Sequence, residues 1–172
     1  MTPYILLLLF ASILSLIIDK FNAYKVLQFF FKFVLISGLS LFAGFRSSKV
    51  GTDTNGYINS FVNNSSVLDF FNYESSLEIG FKALETVLRS ITSDPKLYLF
   101  LVAFLILLFQ LRIIYKISVI PYVSIITIIT WGIYLFSFNG LRQAIAASIF
   151  LMTIPSLLQG NYKKYCLIVL FG

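Results

Sequence analysis

Val119-Ile-Pro-Tyr-Val-Ser-Ile-Ile-Thr-Ile-Ile-Thr-Trp-Gly-Ile-Tyr-Leu-Phe-Ser-Phe138 is followed by Asn139-Gly140 and then by Leu141-Arg-Gln-Ala-Ile-Ala-Ala-Ser-Ile-Phe-Leu-Met-Thr-Ile-Pro-Ser-Leu-Leu158. Two apolar runs, each able to cross a ~30 Å hydrocarbon core as a helix, meet at a two-residue turn. Only helices and closed barrels satisfy their backbone in lipid. The stretch therefore predicts an antiparallel pair of membrane helices. Arg142 sits at the start of the second run. A helix N-terminus carries partial positive charge and prefers acids, and the charge count below puts Arg142 on the non-cytoplasmic side, where basic residues are scarce, so an arginine there is doubly unusual. An arginine beside free N–H groups makes an anion site well suited to phosphate.

Working outward, the same pattern recurs. Pro3–Ile18, Val26–Phe45 and Leu97–Leu111 are further spans. Asp19 and Lys20 follow the first, which has no basic leader before it and reads as a retained helix. Pro121 falls in the first turn of the Val119–Phe138 span, where proline is tolerated. Pro155 is expected to kink or end the Leu141–Leu158 span. Tyr165–Gly172 opens a sixth run and stops after about 12 Å of helix, so the chain reads as cut off inside a helix. The expected architecture is all-α: a polytopic transmembrane helical bundle of about five complete spans, a truncated sixth and one interfacial helix, in a single transmembrane domain over 1–172. Hydrophobic residues make up 59% of the chain and the mean hydropathy is +0.92, which agrees with that class.

Charge sets the orientation. Lys20 and Lys25, Arg112 and Lys116, and Lys163 and Lys164 occupy alternate short loops that share one side by parity, predicted to be cytoplasmic. The N-terminus, the 46–96 segment and the 139–142 turn then lie outside. Six of the seven acidic residues fall in 46–96. Within that extracytoplasmic segment, Leu77, Phe81, Leu84, Leu88 and Ile91 recur at helical spacing, with Glu78, Lys82, Glu85 and Arg89 opposite. The pattern predicts an amphipathic helix over about 77–91 lying on the outer membrane surface. Ser93-Asp94-Pro95 ends it.

The composition also excludes. With no histidine in the chain, no His-based acid–base, triad or metal chemistry is available. Cys166 is alone, so no internal disulfide forms, and a buried thiol is the expectation. The net charge of +6 is spread through loops rather than gathered in a patch, so nucleic acid is not an expected partner.

Three strings stand at outer helix boundaries: Phe45-Arg46…Gly51-Thr52-Asp53-Thr54…Tyr57, Glu78-Ile79-Gly80-Phe81, and Phe138-Asn139-Gly140-Leu141-Arg142-Gln143-Ala144-Ile145-Ala146. In order and spacing the chain resembles the EpsG family of membrane polysaccharide-synthesis proteins, related to Wzy-type O-antigen polymerases. The resemblance spans essentially the whole chain but about the N-terminal half of a typical member, so further C-terminal helices are expected. It implies polymerisation of polyprenyl-diphosphate-linked oligosaccharide repeat units for exopolysaccharide, capsule or O-antigen. The setting is the outer face of a bacterial inner or cytoplasmic membrane. The implied partners are that lipid-linked oligosaccharide, membrane lipids, a flippase and a chain-length regulator. The residues carried over are Arg142, Arg46, Glu78 and Asp53 as catalytic, and Tyr57, Gln143 and Asn139 as substrate-binding.

The chemistry suits these residue types. Breaking a sugar–diphosphate bond releases an anion, which fixed cations stabilise; arginine does so with two parallel hydrogen bonds. A carboxylate, Asp53 or Glu78, is the natural base for the attacking hydroxyl. No DxD string or metal-ligand cluster is visible, so no metal and no cofactor is expected. Plainer roles stand beside these: Arg46 and Arg142 as interfacial anchors, Asp53 as a turn residue, Tyr57 as a belt aromatic, Glu78 as a solvated charge, Gln143 as an interhelical donor. Lys32, inside the second span, is expected to snorkel to the cytoplasmic surface. A lipid-linked glycan flippase or transporter, or a non-catalytic subunit of a synthesis complex, are the alternative functions.

Overall fold

The computed structural model describes residues 2–21, 23–47, 50–63 and 79–171. Their elements are α1 (Thr2–Lys20), α2 (Lys25–Gly44), α3 (Thr54–Asn63), α4 (Ile79–Ile91), α5 (Pro95–Ile117), α6 (Pro121–Thr130), α7 (Ile133–Asn139), α8 (Leu141–Leu151), α9 (Ile154–Leu158) and α10 (Tyr162–Phe171), with no strand among the described residues. Four stretches are long and apolar enough to cross a membrane: α1, α2, α5, and α8 with α9. The α6–α7 pair makes a fifth, bent by 47°. This is a multi-pass membrane protein built as a helical bundle.

Local chemistry explains where the helices start. Asp94 caps α5, its carboxylate accepting from the Lys96 N–H at 2.9 Å, with Pro95 in the first turn. Pro121 likewise stands in the first turn of α6, there without a side-chain cap. The expected single span over Val119–Phe138 is instead broken at Trp131–Gly132. Gly132 has φ of +76° and forms the left-handed hinge from which α7 restarts. The last span is also interrupted, at Met152–Thr153: Pro155 has no N–H to return to the preceding turn.

Helix α5 is the hub. It packs against α2, α6 and α8 in the bundle and touches α3 and α4 at one end. Small residues let the helices approach, as membrane packing requires. At Gly44, Phe100 of α5 comes so close that an added Cβ would lie 2.7 Å from its Cα and 2.8 Å from its N. Interhelical hydrogen bonds add modestly, ~0.6 kcal/mol each on average. Gln110 Nε2 donates to Ser148 Oγ at 3.1 Å, and Tyr134 Oη to the Leu39 carbonyl at 2.7 Å.

Two apolar cores result. One joins α1, α2, α5, α6 and α7. The other gathers Tyr57 and Phe61 of α3, Phe81 and Leu88 of α4, the first half of α5, and Leu141, Ala144 and Ile145 of α8. The second core takes in one face of the helix expected over about 77–91, described from Ile79 onward. Helix α4 packs with Phe81, Lys82, Glu85, Thr86 and Leu88 inward and leaves Ile79, Val87 and Ile91 exposed. Lys82 and Glu85, expected on the solvated side, are buried, and Glu85 finds polar partners in Ser60 of α3 and Tyr98 of α5. Cys166, expected to be buried, is exposed on α10.

Candidate functional site

The loop after α2 and the α7–α8 turn are tied together by one buried arginine. The Arg46 side chain is 9% exposed. Its Nη1 donates to the Ala43 carbonyl at 2.6 Å, Nη2 to Thr54 Oγ1 and to the Phe138 carbonyl, both at 3.2 Å, and Nε to Thr54 Oγ1 at 3.3 Å. The guanidinium also lies over the Phe138 ring, 4.6 Å from its centroid. Thr54 Oγ1, which accepts two of these bonds, donates its own proton to Val50 O at 2.8 Å. Burial lowers the Arg46 pKa to about 10, so the group remains a cation at neutral pH.

Gly51 and Asn139 complete this latch. The Thr52 N–H donates to Asn139 Oδ1 at 2.9 Å. Gly51 has φ of +91°, and a Cβ there would come within 2.8 Å of Asn139 Oδ1 and 3.1 Å of the Phe138 carbonyl. Only glycine meets both demands. Two of the three strings singled out in the sequence, around 45–57 and 138–146, are thus in direct contact.

Beyond the latch, a cleft of about 520 Å³ opens between α4, α5 and α8. Phe81, Leu84, Leu105, Phe109, Ile145 and Ile149 give it apolar walls; Arg142 and Gln143, in the first turn of α8, stand at one end. Gly140 caps α8 without a side-chain hydrogen bond. The first backbone N–H groups of a helix have no intrahelical acceptor, and here they share the turn with the guanidinium.

Glu85 lies behind this end of the cleft and is fully buried. Tyr98 Oη donates to its Oε1 at 2.9 Å and Ser60 Oγ to its Oε2 at 3.0 Å. Burial raises its pKa; the bonds from Tyr98 and Ser60 and the positive charge of Arg142 pull the other way. The charge of Arg142 is therefore felt by a carboxylate held rigidly from two sides. The Tyr98 ring is itself stacked on Phe61 at 4.1 Å between centroids.

The expected site residues divide. Arg142 and Gln143 share the cleft. Arg46 and Asn139 belong to the latch; Arg46 borders a separate, smaller pocket of about 280 Å³ with Pro3, Tyr4 and Phe42. Of these two pockets, Arg142 lines the larger and Arg46 the smaller. Tyr57 is buried with its ring 5.9 Å from Phe81, behind a cleft wall. Asp53 is exposed at the start of α3, where its carbonyl accepts the Tyr57 N–H. Glu78 lies outside the described residues. Among the described residues no three acidic or cysteine side chains converge as a metal site would need. Sequence reasoning missed Glu85, Tyr98 and Ser60. Glu85 carried a faint signal, as a helix-face charge among apolar neighbours; nothing local marked the other two.

Compared with known proteins, residues 29–172 match the model of the EpsG family. No curated protein and no solved structure matches the chain.

Proposed function

This chain belongs to the EpsG family, whose members act in membrane polysaccharide biosynthesis, and on that premise we propose that it extends a glycan from polyprenyl-diphosphate-linked repeat units. The reaction takes place at the outer face of a bacterial cell membrane, with the N-terminus outside. The supporting observation is the cleft. An arginine and a helix N-terminus stand at one end, and apolar walls continue along α5 and α8. From Arg142 to Ile149 the helix runs about 10 Å. That layout suits an amphipathic donor, with its diphosphate at Arg142 and its prenyl chain along Leu105, Phe109 and Ile149.

In the proposed step, a hydroxyl of one glycan attacks the anomeric carbon of the lipid-linked sugar. The new C–O bond forms as the bond to the diphosphate breaks, and the polyprenyl diphosphate leaves with the electron pair. Arg142 and the α8 N–H groups stabilise the growing negative charge. Gln143 offers a further polar contact beside them. Asp53 is a candidate acceptor for the hydroxyl proton, being exposed at the same end, and Glu78 is the other. Glu85 is buried away from the cleft and acts through Arg142 as a positioning residue. Arg46 holds the latch rather than gripping the diphosphate.

Arg142→Lys keeps the charge but loses the planar fork. Losing one such transition-state contact costs roughly 2–4 kcal/mol, or ~30- to 1000-fold in rate. In cells that make the polymer, Arg142→Lys should shorten it on gels at matched expression, and Arg142→Ala should shorten it at least as much. Normal-length polymer from both would return Arg142 to an anchoring role. A flippase is the second reading, favoured by the break in the α6–α7 span. Transporters place such breaks at midplane binding sites. Accumulation of untranslocated, rather than unpolymerised, lipid-linked units in a deletion strain would favour it.

A further inference from the structure

A second cavity of about 520 Å³ opens at the other end of the bundle, where α1 ends, α2 begins and α5 turns into α6. Its lining is chiefly polar: Asp19, Gln28, Lys32, Tyr115 and Ser118 all face it. Lys32 Nζ lies 4.0 Å from the centroid of the Tyr115 ring. Asp19 shares the lining with both Lys32 and Tyr115. The Tyr115 hydroxyl is sealed from solvent and has no hydrogen-bond partner among the described residues. A buried donor left unmet calls for an explanation, and so does a lysine inside an apolar span.

We propose that this cavity binds the headgroup of a zwitterionic aminophospholipid, the phosphate at Lys32 and the primary ammonium at Asp19. Charge carries the choice of ligand. One wall holds a fixed cation and another a fixed anion, so the complementary ligand is dipolar and neutral overall. A purely anionic headgroup would meet Asp19, and a purely cationic one Lys32. Depth agrees: Lys32 is about 10 Å along α2 from Lys25, at the boundary between headgroups and acyl chains when Lys25 lies among the headgroups. Phe29 and Phe33, next to the lining residues of α2, are exposed and give the acyl chains an apolar surface. The proposal is independent of the polymerase reading and needs only a chain that spans the membrane.

The test is lipid retention by the full chain, delipidated in detergent and followed by native mass spectrometry. The probes are phosphatidylethanolamine, phosphatidylcholine and phosphatidylglycerol with identical acyl chains. The unaltered chain should hold one phosphatidylethanolamine about tenfold more tightly than phosphatidylcholine, whose quaternary ammonium has no N–H for Asp19. Asp19→Asn should erase that preference, and Lys32→Gln should weaken both. Stepwise N-methylation of the lipid, tested on the unaltered chain, should weaken binding without any variant. Equal retention of all three lipids, tighter binding of phosphatidylglycerol, or indifference to methylation would overturn the proposal. So would full displacement by an equal concentration of inorganic phosphate, which would mark a free-phosphate site instead.

Discussion

Replacing Thr54 by valine tests the latch with almost no change of shape. Thr54 is fully buried, and its hydroxyl accepts from two nitrogens of Arg46 while donating to Val50 O. Valine removes the acceptor and leaves guanidinium protons facing a methyl group. A hydrogen bond to a charged group is worth about 1.5–3 kcal/mol and a neutral one about 1, so the loss should be about 2–4 kcal/mol. For a chain of this length each kcal/mol moves Tm by about 2–4 °C. Thermal unfolding in detergent should therefore drop by roughly 4–16 °C. Arg46→Lys should produce a similar fall, because an ammonium cannot span Ala43, Thr54 and Phe138 together. The double variant should fall by much less than the sum, since both changes break one network. A Thr54→Val protein melting within a degree of the unaltered chain, or strict additivity, would refute the latch.

Gly44→Ala should separate α2 from α5, because the new methyl would lie 2.7 Å from the Phe100 backbone; the expected result is a loss of about 1–3 kcal/mol from overpacking, read as a lowered unfolding temperature. Glu85 has a folded-state pKa above its ordinary value of 4.5, so the folded protein holds its proton more tightly than the unfolded chain. Its contribution to stability is fullest below that ordinary value and is lost as pH rises through the folded one; Glu85→Gln should flatten that decline, and an unchanged pH profile would count against it. With Cys166 replaced by serine, a cysteine at exposed Asn55 should react with an impermeant maleimide on intact cells and one at Asn161 should not; the reverse pattern would invert the topology.

The bundle was legible because its signal is local. Each span is a long, mostly apolar run, and the position of Arg142 at a helix start follows from the Asn139-Gly140 turn alone. The hinge at Trp131–Gly132 was not legible: it replaces no apolar residue, and hydropathy does not sense φ. Helix α4 was read with the correct period and too simple a partner. An amphipathic pattern locates two faces but does not reveal that α3 and α5 carry Ser60 and Tyr98 for Glu85 to bond. Arg46 stood out as a boundary arginine, yet its role depends on the Phe138 carbonyl, 92 positions away. Such long-range pairings leave no trace in one sequence. The sequence places the strings around 45–57 and 138–146 at helix boundaries; the contact between them comes from the fold.

The central claim is that the cleft at Arg142 receives the lipid-linked donor. A photoreactive amino acid at Ala146, exposed and lining the cleft, measures this directly in membranes that contain the natural lipid-linked oligosaccharide. The account predicts a glycan-positive crosslink at 146, none from a probe at exposed Val123 on α6, and loss of the 146 crosslink when Arg142 is also changed to alanine. Equal crosslinking at 146 and 123, or a 146 crosslink indifferent to Arg142→Ala, would contradict it.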